Sequence, residues 1–400
     1  MRYFRIDNIP AGKKVFLRVD FNVPIEKNKV LDNIRIKTAL PTIRALLEKN
    51  CTIILATHLG RPEGKVVEEW RVAPLVKELQ KELPTIKITY VQDCIGAEVN
   101  KAIESSSPQE IIFLENLRFY REEEDNNLAF ANILVSQADF YVNEAFAVSH
   151  RANASIGAIT NFLPSAAGIL FDKEVNNLSC ALKPQKPAVW ILGGAKLDKI
   201  DLIKQALDKA DYILIGGALA FSFLKSKGFN VGLSKVDAES IQNAAKILKL
   251  RKARKIILPI DVVVAENFSA RTKYRVVNTK EMPNSEMGLD IGPKTVELFK
   301  EYLHQAKTIV CNGPLGYFEW AQFAHSTQEI ARFIGQVPAI SICGGGETAE
   351  AMRKFYLEHD FTYISTAGGA AVAFLSGKEL PGISALEKNY NRYKKKFKKS

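Results

Sequence analysis

The chain has 400 residues, more than one ordinary hydrophobic core holds, so two domains are expected. Its 47% hydrophobic and 25% charged residues are the balance of a water-soluble globular protein and exclude a disordered or fibrous one. The net charge of +11 is uneven: residues 388–400 carry Lys388, Arg392, Lys394, Lys395, Lys396, Lys398 and Lys399 without an acid, which leaves the body only mildly basic.

Met1-Arg2-Tyr3-Phe4-Arg5 opens the chain without the apolar region of a signal peptide, which sets a cytoplasmic expectation. In the first half, apolar runs end in polar turns rich in arginine. Val15-Phe16-Leu17-Arg18-Val19 leads to Asp20-Phe21-Asn22, and strand-like Val30-Leu31 precedes Arg35 and a helix. Thr52-Ile53-Ile54-Leu55-Ala56 leads to His58-Leu59-Gly60-Arg61, and Val72-Ala73-Pro74 then starts a helix with proline near its first turn. Ile111-Ile112-Phe113-Leu114 opens into Glu115-Asn116-Leu117-Arg118, and Phe140-Tyr141-Val142 into a loop ending at Ser149-His150-Arg151. A helix is expected over about 165–181, stopping before Lys183-Pro184-Gln185-Lys186-Pro187, because proline biases its predecessor away from helix.

The second half repeats the pattern with glycine. Ala188-Val189-Trp190-Ile191-Leu192 opens into Gly193-Gly194-Ala195-Lys196, followed by Leu197, Ile200, Ile203, Leu207 and Ala210 at helical spacing. Tyr212-Ile213-Leu214-Ile215 opens into Gly216-Gly217, and Ala339-Ile340-Ser341-Ile342-Cys343 into Gly344-Gly345-Gly346. Helices are expected over 348–356 and 370–375, the latter just after Gly368-Gly369. The longest apolar stretch, 212–224, is broken by two glycines and a serine and is too short to cross a membrane. The five cysteines are scattered without a CxxC pair and read as buried thiols in a reducing compartment.

Alternation of apolar runs with amphipathic stretches is the βαβ signature. The expected fold class is α/β: two doubly wound parallel-sheet (Rossmann-like) domains joined by a hinge helix, with a cleft between them as the natural site. The expected limits are 1–170, a helix and linker over 171–186, 187–380, and a segment over 381–400 returning toward the first domain.

Arg35, Arg61, Arg118 and Arg151, with His58 and His150, would form an anion pocket, since arginine presents a planar fork of donors. Asp20 and Asn22 would add an acceptor and an orienting amide. In the second half the glycine turns would let backbone amides approach a phosphate chain, aided by positive helix N-termini. Lys196 and Lys199, three residues apart, share a helix face and could neutralise a phosphoryl group. There is no GxxxxGK[ST] loop, no GxGxxG fingerprint, no HExxH and no Ser/His/Asp elbow.

The strings carrying these residues resemble the phosphoglycerate kinase family. They are Arg18-Val19-Asp20-Phe21-Asn22-Val23-Pro24, Thr57-His58-Leu59-Gly60-Arg61-Pro62, Leu114-Glu115-Asn116-Leu117-Arg118-Phe119 and Ile191-Leu192-Gly193-Gly194-Ala195-Lys196. They continue with Met287-Gly288-Leu289-Asp290-Ile291-Gly292-Pro293-Lys294-Thr295, Asn312-Gly313-Pro314-Leu315-Gly316, Phe318-Glu319-Trp320, Gly344-Gly345-Gly346-Glu347-Thr348-Ala349 and Gly377-Lys378-Glu379-Leu380-Pro381-Gly382. The resemblance runs in order over about 15–386. It implies a hinge-bending kinase that moves a phosphoryl group between 1,3-bisphosphoglycerate and ADP, giving 3-phosphoglycerate and Mg-ATP.

By the same resemblance, Asp20, Phe21, Asn22, Arg35, His58, Leu59, Gly60, Arg61, Arg118 and Arg151 bind the phosphoglycerate. Gly193, Gly194, Ala195, Lys196, Lys199, Gly216, Gly217, Leu289, Asn312, Pro314 and Glu319 serve the nucleotide, with Glu319 on the ribose. Gly344, Gly345, Gly346, Glu347 and Thr348 hold phosphates, and Glu347 takes part in holding Mg²⁺. Arg35, Lys196, Lys199, Gly368 and Gly369 are implied at the transferred group. A cytoplasmic monomer is expected, its domain closure excluding water from the acyl phosphate.

The chain departs from the family pattern at Glu347, where aspartate is usual, and at Ala367, where glycine is usual. Lys196 and Lys199 are spaced one residue closer than usual, and Asn143-Glu144-Ala145-Phe146-Ala147 replaces Asn-Asp-Ala-Phe-Gly. Two further readings stand beside the kinase: a catalytically weakened nucleotide-binding scaffold, and an added nucleic-acid or anionic-surface contact through the lysine tail.

Overall fold

A computed structural model describes residues 1–194 and 200–397, and the chain divides into two units. The first comprises Met1–Val175 and Glu379–Ser400, the second Asn176–Lys378. Ala195, Lys196 and Lys199 therefore lie outside the described residues, as do Lys398 and Lys399 of the basic tail.

The first unit is built on strands β1 (Phe4–Arg5), β2 (Lys14–Arg18), β5 (Thr52–Ala56), β6 (Ile88–Tyr90), β7 (Ile111–Phe113), β8 (Phe140–Asn143) and β9 (Ser165–Ala167). They form one parallel sheet in the order β1-β9-β8-β2-β5-β7-β6. A hairpin of β3 (Ile25–Glu26) and β4 (Lys29–Val30) stands apart. The central strands are apolar on both faces, as a helix-covered parallel sheet requires; Val15, Phe16, Leu17, Ile53 and Leu55 are fully buried. Strand order reverses at β2, since the chain leaves it toward β5 and returns on the other side as β8. The turns after β2, β5, β7 and β8 therefore share one sheet edge, where ligands bind in such folds.

The expectation of one helix over about 165–181 is corrected. Ser165–Ala167 is a strand, in register with Tyr141, Val142 and Asn143 of β8, and Ala166 and Ala167 pair with β1 on the other side. Ser-Ala-Ala has little strand propensity of its own; two flanking ladders impose the conformation. The helix Ile169–Leu182 follows, its first turn held by Glu144. That buried carboxyl accepts from Thr42 Oγ1 at 2.6 Å and Leu170 N at 3.1 Å, while Ile169 N donates to Thr42 Oγ1 at 2.8 Å. Gly168 is needed there, because a Cβ would lie 1.8 Å from Glu144 Oε2.

Burial raises the Glu144 pKa to about 8, above the ordinary carboxyl value. The native state then holds this proton more tightly than the unfolded chain, so stability falls as pH rises through that range. Glu144→Gln should flatten this part of the decline in melting temperature between about pH 5 and pH 8. A slope equal to that of the unsubstituted protein would mean that Glu144 is ionised throughout.

The C-terminal helix Pro381–Phe397 belongs to the first unit. Asn389 Nδ2 donates to Thr160 O and Leu163 O at 2.7 Å, its Oδ1 accepts from Ser165 N at 2.9 Å, and Tyr390 packs on Phe4 with ring centres 4.9 Å apart. The last residues thus secure the β1-β9 edge of a sheet begun by the first.

The second unit is built on β10 (Ala188–Leu192), β11 (Tyr212–Ile215), β12 (Ile256–Ile257), β16 (Thr308–Asn312), β17 (Ile340–Cys343) and β18 (Tyr363–Ile364). They form a parallel sheet in the order β12-β11-β10-β16-β17-β18, with the order reversing at β10. Inserted in the chain is an antiparallel sheet, β14-β13-β15, of β13 (Asp261–Ala265), β14 (Tyr274–Asn278) and β15 (Met287–Ile291). The βαβ reading did not foresee it. Most of β14 is exposed, so its sequence carries little apolar signal, and β13 holds it in place by pairing. Among the described residues no helix is long and apolar enough to cross a membrane.

Candidate functional site

In the first unit the turns after β2, β5 and β7 are locked together by side-chain amides. Asn116 Nδ2 donates to Leu59 O at 2.7 Å and Trp70 O at 2.9 Å, and its Oδ1 accepts from Leu59 N and Arg118 N at 3.1 Å. Asn22 Oδ1 accepts from Gly60 N at 3.0 Å, and Phe21 N donates to Thr57 Oγ1 at 3.0 Å. Gly60 has φ of +61°, and a Cβ there would lie 2.2 Å from the Trp70 ring. Phe21 and Leu59 are fully buried and hold the frame, so any contact they offer an anion comes through the backbone.

On this frame sits a cluster of cations. Arg35, in the first turn of the helix Ile34–Glu48, reaches Asp20 Oδ2 at 2.5 Å with a third of its side chain exposed. Arg118 is almost buried; NH1 donates to Gly60 O at 2.7 Å and Nε lies 3.4 Å from Glu124. Burial and the charge of Arg18 pull its pKa below the usual guanidinium range. Exposed Arg151 donates from Nε to His150 Nε2 at 3.3 Å. At the centre is His58, 2% exposed, its pKa driven well below the ordinary value by burial and then by Arg18, Arg118, Arg35 and Arg151. Four guanidinium groups, from the end of β2, the start of the helix Ile34–Glu48 and the segments after β7 and β8, thus act on one buried imidazole. Arg61 is exposed on its loop, outside this group of largest influences.

Arg18 is the residue that sequence reasoning missed. It ends strand β2, where an arginine reads as an exposed residue, yet it is 2% exposed. The available signal was its position between apolar residues of a strand covered on both faces.

In the second unit, a cavity of about 380 Å³ opens where strand order reverses. Gly194, Gly217, Leu289, Pro314, Glu319 and Glu347 line it, together with Phe221, Phe268 and Tyr317. Its walls are mainly apolar, a shape for a planar ring rather than for bare phosphate. Phe268 and Tyr317 meet edge to face at 4.9 Å, and Trp320 lies 4.6 Å from each. Sequence reasoning missed Phe268, which lies in the loop before β14 and carries no periodic signal.

The glycine turns act differently from the expectation. The amides of Gly193, Gly194, Gly216 and Gly217 are donated to Asn312 O, Pro314 O, Leu192 O and Leu315 O at 2.8–2.9 Å. They do not remain for a phosphate chain. Their purpose is backbone packing of the turn after β10 against that after β16: a Cβ on Gly193 would lie 2.2 Å from Pro314 O, and one on Gly313 2.2 Å from Gly193 O. Only without side chains can these loops approach so closely.

Beyond the cavity, Asn312 Nδ2 donates to Gly344 O at 2.8 Å, and Thr348 Oγ1 accepts from Gly313 N at 2.7 Å. These bonds fix the Gly344-Gly345-Gly346 turn, from which the helix Gly346–Lys354 starts with Glu347 exposed in its first turn. A Cβ on Gly346 or Gly368 would meet nothing within 4 Å, so both turns present bare backbone to open space. Gly368, at φ of +51°, precedes the helix Gly369–Leu375. Among the described residues no three His, Cys, Asp or Glu side chains gather to hold a metal.

The family model described as phosphoglycerate kinase matches residues 6–378. The chain is 45% identical to a phosphoglycerate kinase of Moorella thermoacetica over 379 residues, covering 94% of this chain and 96% of that protein. It is 45% identical to one from Geobacter sp. over 394 residues, covering 97% and 98%. Its structure is similar to that of phosphoglycerate kinase from Coxiella burnetii, with a TM-score of 0.88, 36% identity and coverage of 97% and 99%. The corresponding values for the Pyrococcus horikoshii enzyme are 0.85, 31%, 97% and 99%. A motif order read from end to end, two doubly wound sheets and full-length likeness agree that the chain belongs to the phosphoglycerate kinase family, phosphotransferases that use a carboxyl group as acceptor.

Proposed function

We propose that the arginine cluster of the first unit binds 3-phosphoglycerate and its acyl phosphate, and that the cavity of the second unit binds ADP or ATP. The carrying observation is the set of cations fixed at one sheet edge: Arg35 on Asp20, Arg118 on Gly60 O, and Arg18 beside buried His58. A pocket that gathers so much positive charge is stable only with an anionic ligand or strong internal pairing, and Asp20, Glu123 and Glu124 pair it only in part, with no carboxylate within 4 Å of Arg151 among the described residues.

Phosphoryl transfer from 1,3-bisphosphoglycerate to ADP needs charge neutralisation and in-line placement more than covalent help. The accepting phosphate oxygen of ADP is already an anion, so no general base is needed. Arg35, a third exposed, can exchange Asp20 for a phosphoryl oxygen, and we assign it to the group in flight. Lys196 and Lys199 are assigned the same task by the family pattern. In the second unit the apolar cavity takes the base, and Glu319, exposed at its rim, takes the ribose hydroxyls. The open turns at Gly344-Gly345-Gly346 and Gly368-Gly369 take phosphate oxygens. The free cysteines, four of them buried, fit a reducing cytoplasm.

With the full-length protein, calorimetric titration should show 3-phosphoglycerate binding without nucleotide and ADP binding without phosphoglycerate. Arg151→Ala should weaken the first about tenfold and leave the second unchanged. Equal weakening of both would remove the division of labour.

Mg²⁺ would neutralise nucleotide phosphate charge. Its protein ligand here would be the Glu347 carboxylate alone, which suits an ion that is usually held by one or two carboxylates with phosphates and water. Glu347→Gln should raise the Mg²⁺ concentration for half-maximal activity several-fold, while Glu347→Asp should keep substantial activity. An unchanged Mg²⁺ requirement in Glu347→Gln would show that this carboxylate only complements the helix N-terminus.

A further inference from the structure

We infer that Arg18 is a positioning residue that holds His58 as a neutral imidazole with its proton on Nε2. This deepens the assignment of His58 to the phosphoglycerate pocket and rests on it for its functional meaning.

Arg18 ends β2 with its side chain buried, so each of its donors needs a fixed partner. Nε donates to Ser155 Oγ at 2.8 Å, and NH1 donates to Val19 O. Ser155 passes the connection on: Oγ donates to Glu123 Oε1 at 2.6 Å and N donates to Oε2 at 2.9 Å. Tyr141 fixes the same segment, its hydroxyl donating to Ser155 O at 2.7 Å. Glu123 is itself buried and stands 3.7 Å from Arg18 NH2 as the countercharge. The guanidinium is thereby clamped on one side, and NH2 is left 3.2 Å from His58 Nδ1.

A guanidinium has donors only, so the nitrogen facing it must supply the lone pair. Protonation of Nδ1 would set two N–H groups against each other in a buried site. The imidazole therefore carries its single proton on Nε2, and among the described residues none is hydrogen-bonded to that nitrogen. The charged groups around the ring act in the same direction. Arg18, Arg118, Arg35 and Arg151 oppose an imidazolium. Among the described residues the one carboxylate within 4 Å of the ring nitrogens, Asp20, has Oδ1 3.9 Å from Nδ1, beyond hydrogen-bond reach, and its Oδ2 is occupied by Arg35.

The consequence is chemical. The pocket gains a directional donor for one substrate oxygen without a further cation, and that donor does not titrate in the physiological range. Glu123, Ser155 and Arg18 form the relay that sets the tautomer, much as partners on the far nitrogen set it in other histidine sites.

The test is long-range ¹H–¹⁵N correlation on full-length protein labelled at histidine, with His58 assigned by His58→Gln. From about pH 6 to about pH 8, the ordinary histidine titration range, His58 should stay neutral with the proton on Nε2. An imidazolium near pH 6, or a proton on Nδ1, would overturn the inference. In Arg18→Met, His58 should stay neutral, since burial and three arginines remain, but its proton should no longer be fixed on Nε2, and KM for 3-phosphoglycerate should rise at least about threefold with kcat following less. In Arg18→Lys, whose ammonium is also donor-only, the original tautomer should return. Arg18→Met with the original tautomer and an unchanged KM would remove Arg18 from the role. Should Arg18→Met fail to fold, the tautomer of the unsubstituted protein and of Arg18→Lys still decides. A resonance of the expected tautomer that ignores added 3-phosphoglycerate would support the positioning by Arg18 and overturn the substrate assignment of His58.

Discussion

Arg35→Ala is expected to lower turnover by about two to three orders of magnitude, the loss typical of removing one cation from a phosphoryl-transfer site. ADP affinity should stay within about twofold, because Arg35 belongs to the first unit and the cavity proposed for the nucleotide to the second. The effect is large because of where the residue stands. It occupies the first turn of the helix Ile34–Glu48, its guanidinium rests on Asp20, and a third of the side chain remains exposed. Arg35 is a third exposed while Asp20 is nearly buried, so the melting temperature of the variant is measured alongside its turnover to separate loss of stability from loss of charge. The Arg35 charge is available to a group whose negative charge is redistributed as the phosphoryl moves, and an interaction stronger in the transition state appears in kcat. Steady-state kinetics with saturating substrates would decide; turnover near that of the unsubstituted enzyme would exclude Arg35 from the transferred group.

Gly313→Ala should damage the second unit more than any side-chain truncation in the cavity. Gly313 has φ of +94°, a region that alanine enters only under strain, and its Cβ would lie 2.2 Å from Gly193 O and 2.8 Å from Gly194 N. Neither obstacle is a flexible side-chain tip; both are backbone of the turn after β10. The turns after β10 and β16 must separate, and with them the bonds from Gly193 N to Asn312 O and from Gly194 N to Pro314 O. A loss of about 3–5 kcal/mol is expected, in the upper tail of single substitutions. Calorimetric titration should show ADP binding abolished and 3-phosphoglycerate binding by the same protein retained. ADP binding at the original affinity would mean that the two turns can part without reshaping the cavity.

Much of this protein can be read from the chain because its physics is local. Val15 to Leu17, Ile53 to Leu55 and Ala188 to Leu192 are runs too apolar to face water on either side, and βαβ alternation makes their sheets parallel. The turns that follow them must share a sheet edge, so the chain itself shows that the arginines and glycines of those turns lie at that edge. The family strings added the identity of the reaction. What the chain could not show depends on residues distant in sequence. Ser165–Ala167 is a strand because β1 and β8, from opposite parts of the first unit, flank it. The amides of Gly193 and Gly194 are spent on carbonyls more than a hundred residues away, which turns an expected phosphate cradle into a close-packed seam. Arg18 looks like one charge in an apolar strand until Glu123, Ser155 and His58 close around it. Periodicity and turn chemistry act within a few residues, whereas hydrogen-bond saturation and burial are settled only when remote segments meet, and it is there that the protonation of the site is decided.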